Sequence, residues 1–282
     1  MKGEQGARAG RAGFDGLSGA RPSPGPPPGV ATVRPAGSGP APTRLVLVRH
    51  GEAVCNVTGV CGGVVGCGGL TDVGRRQVEE LRDRLARSGE LAGCQALYAS
   101  VLGRARQSAE ILAPAVGRRA GEVRARCDLC ELHPGEADGL GWAEFVERFG
   151  EPDWDADPDR PIAPGGESWT GFVRRVSLAL DELVAAHPAA LVVAVCHAGV
   201  VEASLLAKLP VAGAEDGVRL GLPTRHASMT TWEVEDGRWR LFAYNDAAGV
   251  PVARASSRAG RPEAGPGLTD GRAPARPAAQ QA

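Results

Sequence analysis

Two short runs of consecutive apolar residues, Leu45–Val48 and Leu191–Cys196, constrain the fold of this chain more than any other feature. A strand with one wet face alternates apolar and polar residues. An unbroken apolar run of this length reads instead as a strand buried on both faces. Helical patterns lie between the two. Thr71 can cap a helix running to about Arg87, with Val78, Leu81 and Leu85 on one stripe. Ala96–Ala99 reads as another short strand, and Arg104–Ala115 as a helix with Ala105, Ala109 and Leu112 inward. Val123–Leu129 is a weaker strand pattern, Trp142–Phe149 a short helix, and 151–165 a loop dense in Pro and Asp. Ser168–Ala186 places Phe172, Val176, Leu180 and Leu183 at helical spacing, and Val200–Leu206 continues as a helix after the second apolar run. Two alternating runs between Met229 and Tyr244 flank Asp236-Gly237, a hairpin signal. Strands alternating with helices predict a three-layer α/β/α sandwich with a mainly parallel central sheet and an antiparallel edge hairpin.

Composition sets the domain limits. Residues 1–43 and 251–282 are dominated by Gly, Ala, Pro and Arg and cannot bury enough apolar surface to offset their ordering entropy. They are expected to be disordered tails around one folded domain at 44–250. The net charge of −1 gives no general attraction to nucleic acid or anionic membranes, and the five Trp are scattered rather than grouped as a stacking platform. No stretch is long and apolar enough to span a bilayer, and no signal-peptide pattern opens the chain, so a cytoplasmic location is expected. Seven Cys, an odd number, argue against a disulfide framework. Cys127-x-x-Cys130 stands alone as a short motif, without a second ligand pair or a strand-to-helix context, and is read as coincidental.

The chemistry gathers at the ends of the strands. His50 and His197 follow the two buried runs directly, where open α/β sheets bind ligands. Either alone would read as a structural residue; two in matching topological places do not. Arg49 and Arg104 would repel a metal cation, but a guanidinium fork matches a phosphate, and helix N-termini there add N–H donors. A phosphate pocket that contains an imidazole suits nucleophilic catalysis, given a hydrogen bond that fixes the tautomer. The leaving group needs a proton, and Glu131 follows the strand pattern that ends near Leu129, at the same edge.

These residues stand in an ordered series of motifs: Arg49-His50-Gly51-Glu52 with Asn56 following, Leu70-Thr71-x-x-Gly74-x-x-Gln77, Ser100-x-Leu102-x-Arg104-Ala105-x-Gln107, Leu129-x-Glu131, Pro164-Gly165-Gly166-Glu167-Ser168, and Val195-x-His197-Ala198-Gly199-Val200. The series resembles the histidine phosphatase superfamily, also called phosphoglycerate mutase-like, from Leu45 to about Asp246. The resemblance implies that 44–250 is a catalytic domain and that His50 is phosphorylated. It implies that Arg49, Arg104 and His197 hold the phosphate, that Glu131 donates the proton and that Asn56 belongs to the phosphate pocket. It also implies that neither a metal nor an organic cofactor takes part. The partner would be a small phosphorylated substrate. Hydrolysis of a phosphate monoester is the expected activity. The alternatives are a mutase, which in this family carries longer insertions, and a non-catalytic phosphoryl-binding protein. Oligomeric state is left open. Glu52 is read as structural, His133 as a surface-loop residue, His187 as a helix end, and His226 is not counted in the site. The chain departs from the family pattern at Ala53, at Ala198, at Asp138 where Glu is frequent, and over 57–69, which lacks the usual acidic residue and Pro.

Overall fold

The computed structural model describes residues 41–209 and 222–250. The predicted tails lie outside the described residues, except that the first strand, β1 (Thr43–Arg49), begins one residue inside the stretch assigned to the N-terminal tail. The other strands are β2 (Ala96–Ser100), β3 (Arg124–Arg126), β4 (Leu191–Cys196), β5 (Met229–Glu235) and β6 (Arg238–Asp246). They form one sheet in the order β3-β2-β4-β1-β5-β6. The pairs β3/β2, β2/β4 and β4/β1 are parallel, and β5 joins β1 antiparallel. The expected sandwich with an antiparallel edge hairpin is therefore observed.

The helices are α1 (Val54–Thr58), α2 (Asp72–Ser88), α3 (Gly103–Leu112), α4 (Trp142–Phe149), α5 (Trp169–Ala186) and α6 (Ala198–Lys208). Successive residues of β1 serve opposite cores, as a period of two requires. Leu45 and Leu47 pack with Phe172, Val176 and Leu180 of α5 and with α6. Val46 and Val48 pack with Val78, Leu81 and Leu85 of α2 and with Ala105 and Ala109 of α3. Full burial of each such Val or Leu contributes roughly 1.5–3 kcal/mol relative to exposure, which is why these runs hold no polar residue.

Local chemistry sets the element ends. Thr71 accepts from the Gly74 N–H and caps α2, and Ser168 accepts from the Gly171 N–H and caps α5. His187 ends α5, as expected. Asp236 and Gly237 both take positive φ (49° and 73°), the geometry of a tight hairpin turn that matches strand twist. The strand predicted at 123–129 is shorter than expected. It keeps β-pairing only over Arg124–Arg126, at the sheet edge, and then tightens into a 3₁₀ turn, Cys127–Leu129. Arg126 grips Asp128 and Glu182 there, and the Cys130 N–H closes onto the Cys127 carbonyl.

Candidate active site

Sheet register brings the two histidines together. Parallel pairing of β1 with β4 sets Arg49 beside Cys196, so the next residues, His50 and His197, leave adjacent strand ends. Their rings stand 5.0 Å apart in an edge arrangement, both buried. His50 Nδ1 lies 2.6 Å from the Gly51 carbonyl. A carbonyl only accepts, so Nδ1 carries the proton and Nε2 keeps its lone pair. Arg104 Nε donates to that Nε2 at 3.1 Å, which fits the same tautomer. Burial, then the charges of Arg104 and its neighbours, hold the His50 pKa well below the usual histidine range. The ring is neutral at neutral pH and its lone pair faces a cation.

Two glycines let the chain turn here. A Cβ on Gly51 would lie 2.2 Å from the Gly74 carbonyl oxygen, and one on Gly74 would lie 1.9 Å from that of Glu52. The turn after β1 thus packs backbone to backbone on the start of α2. Glu52 faces the same way and accepts from Thr71 Oγ1 at 2.8 Å, a structural role as expected.

The cations are fixed from three sides. Arg104, near the start of α3, donates from Nη1 to the Gly62 carbonyl at 2.7 Å. Arg49 donates to the Thr224 carbonyl and reaches His226 Nε2 at 2.9 Å, leaving its own Nε buried without a partner. Burial first, and Arg104 among its neighbours, lower the Arg49 pKa to about 10, so it remains charged. His197 contacts Ser100 Oγ through Nε2 at 2.8 Å, while its Nδ1 is buried and unpartnered. Burial, then Arg104 and Arg49, push its pKa well below normal. An unmatched buried polar atom costs about 1–3 kcal/mol unless a ligand satisfies it. Two such atoms beside two guanidiniums and a neutral imidazole describe a site organised for an anion.

Glu131 completes the group. One of its oxygens accepts from the Gly199 N–H at 3.1 Å, on the first turn of α6 beside His197. A Cβ on Gly199 would lie 2.2 Å from Glu131 Oε1, so the carboxylate keeps this position only beside a glycine. The five residues expected in the site, His50, Arg49, Arg104, His197 and Glu131, are thus brought together, with Asn56 at the periphery. Asn56 Oδ1 accepts from the Ala53 N–H at 3.0 Å and approaches His226 Nε2 at 3.2 Å.

His226 is a correction. It was not counted in the site, yet its ring lies 5.8 Å from that of His50. The Ala227 N–H bonds to the Arg49 and His50 carbonyls, so β5 enters its antiparallel pairing beside the His50 end of β1. The signal was present: the residues just ahead of a strand antiparallel to β1 must lie at the carboxyl end of β1. Asp138 has a role the sequence did not reveal. Its carboxylate accepts from the Gly63, Val65 and Gly66 N–H groups, each at 2.9 Å, and shapes the 57–69 loop from which Gly62 holds Arg104. Cys127 and Cys130, read as coincidental, are joined by His133, whose Nε2 lies 3.5 Å from Cys127 Sγ.

Residues 45–247 match the histidine phosphatase superfamily, branch 1. A metal-independent phosphoserine phosphatase of Arabidopsis thaliana is 31% identical over 209 residues, which span 72% of this chain and 82% of the relative. Phosphoglycerate mutase-like protein 4 of the same plant is 28% identical over 210 residues, 72% of this chain and 84% of the relative. A mycobacterial glucosyl-3-phosphoglycerate phosphatase solved in complex with VO3 superposes with a TM-score of 0.57 at 30% identity, over 72% of this chain and 98% of that one. With the family pattern matched across the folded region and its motif residues converging at one sheet edge, this chain belongs to the histidine phosphatase superfamily.

Proposed function

We propose that this protein is a phosphatase that hydrolyses the phosphate monoester of a small metabolite through a phosphohistidine formed on His50. The observation that carries the reading is the state of the His50 ring: Nδ1–H is committed to the Gly51 carbonyl, and a lone pair on Nε2 faces Arg104. The neutral imidazole is the nucleophile. The substrate phosphoryl group binds among Arg49, Arg104 and His197, and their donors turn from protein partners to its oxygens. The Nε2 lone pair attacks phosphorus, and the bond to the leaving oxygen breaks. Charge spread over the equatorial oxygens is stabilised by donors already in place. Glu131 gives its proton to the leaving oxygen. The resulting carboxylate then takes a proton from water, which attacks the phosphohistidine. The P–N bond breaks, its electron pair returns to Nε2, and inorganic phosphate leaves.

Similarity to a phosphoserine phosphatase and to a glucosyl-3-phosphoglycerate phosphatase supports a small, polar phosphorylated substrate. All seven cysteines are free thiols, which supports a reducing compartment such as the cytoplasm. Among the described residues, no helix is long and apolar enough to cross a membrane. Incubation of the purified protein with a panel of phosphate esters tests the reading. Stoichiometric release of inorganic phosphate is expected; positional isomers without phosphate would show a mutase, and no reaction with any ester would refute catalysis.

A further inference from the structure

Beside the phosphate pocket lies a second cluster that the proposed reaction does not use. Cys127, Cys130 and His133 present two sulfurs and a ring nitrogen, all within 4.8 Å of one another. The 3₁₀ turn Cys127–Leu129 folds the two cysteines to one side, and the chain then returns His133 to them. Cys127 Sγ and His133 Nε2 are 3.5 Å apart. A tetrahedral zinc ion, with bonds of about 2.3 Å to sulfur and about 2.0 Å to nitrogen, sets those two atoms about 3.5 Å apart.

We propose that Cys127, Cys130 and His133 form a binding site for one thiophilic divalent cation of the zinc class. The surroundings are those of a metal site. His133 Nδ1 faces Glu167 Oε2 at 3.5 Å, which favours the tautomer that leaves Nε2 free as ligand. Glu167 is itself fixed: it accepts from Arg175 and from the His133 N–H at 2.9 Å. Arg175 also donates to the Asp128 and Cys130 carbonyls, so the loop is held before any ion arrives. Ser100 Oγ lies 3.2 Å from Cys130 Sγ, so the sulfur sits in a polar contact rather than an apolar one. Cys130 is buried while Cys127 is exposed, so the ion has an entry path and solvent can supply its fourth ligand. Binding forms two metal–sulfur bonds and one metal–nitrogen bond and releases the two thiol protons to solvent.

The site adjoins the machinery of the proposed reaction. Cys130 directly precedes Glu131, and its sulfur shares the Ser100 hydroxyl with His197 Nε2. An ion held there pins the segment that carries Glu131.

The test is titration of the full-length, reduced, chelator-treated protein with Co²⁺. One equivalent is expected to produce thiolate-to-cobalt charge-transfer absorption and the intense visible bands of a tetrahedral site, and Zn²⁺ should bleach both. Cys127→Ser and His133→Ala are each expected to lose most of this absorption. Because the Cys127 side chain is exposed, its variant should keep its circular dichroism and basal hydrolysis, which separates loss of the site from loss of the fold. A second readout is alkylation: Zn²⁺ should slow iodoacetamide labelling of Cys127 at least tenfold. Absence of tetrahedral bands, bands unchanged in Cys127→Ser, or unprotected labelling of Cys127 would each overturn the assignment. The cobalt absorption, the circular dichroism and the alkylation do not depend on phosphatase activity.

Discussion

At the scale of single residues, the position of individual protons decides the chemistry. His50 can attack phosphorus only while Nε2 is unprotonated, and burial beside Arg104 keeps it so. Because its pKa lies below the ordinary range near 6.5, the neutral form persists as pH falls through that value. An NMR titration should therefore show no protonation of the His50 ring between about pH 8 and about pH 6; a midpoint near 6.5 would contradict the assigned environment. In the proposed reaction Glu131 carries the proton. Glu131→Gln is expected to lower kcat on alkyl phosphates by about 10²–10⁴ with little change in binding. With p-nitrophenyl phosphate, whose leaving group needs no proton, the same variant should give a burst of p-nitrophenol followed by slow turnover. Equal slowing of burst and steady state would place the proton elsewhere.

At the scale of elements, strand ends and helix starts place the chemistry. His50, His197 and Arg104 were legible because buried apolar runs mark strands and strand ends mark the site. His226 was not, since it sits in coil with no periodicity, and only the antiparallel register of β5 on β1 brings it in. Asp138 was equally silent, because its three partners are backbone N–H groups of a loop about 75 residues distant, a contact no local pattern encodes. The third ligand of the cysteine pair was missed because spacing alone does not show that a 3₁₀ turn folds His133 back. On α6, the missing Cβ of Gly199 is what lets Glu131 approach. In Gly199→Ala the new methyl would displace the carboxylate tip rather than backbone, though Phe172 Cε1 at 3.2 Å leaves little slack. Enzyme assays should show kcat falling about 10²-fold, as if Glu131 had been removed, with the thermal midpoint lower by only a few degrees. Full activity would mean that Glu131 need not sit where it does.

At the scale of the whole molecule, the sheet concentrates charge at one edge and stability bears the consequence. Glu202, buried on α6, has its pKa raised to about 8, by burial first and by Glu131 second. Its protonated carboxyl contributes stability that is fully present below 4.5, the unfolded value, and is lost as pH rises to about 8. Glu202→Gln removes this dependence. Urea unfolding should show the variant gaining on the wild type between about pH 5 and about pH 8, by a few kcal/mol at most. Parallel curves would mean that Glu202 is not buried as described. The central claim is that one edge of one sheet builds a nucleophilic histidine. Its most direct measurement is rapid-quench mass spectrometry of the enzyme during turnover of a phosphate ester. The account predicts an acid-labile, base-stable phosphoryl group on His50, attached at Nε2 and absent in His50→Ala. A label on any other residue, or undiminished turnover in that variant, would contradict it.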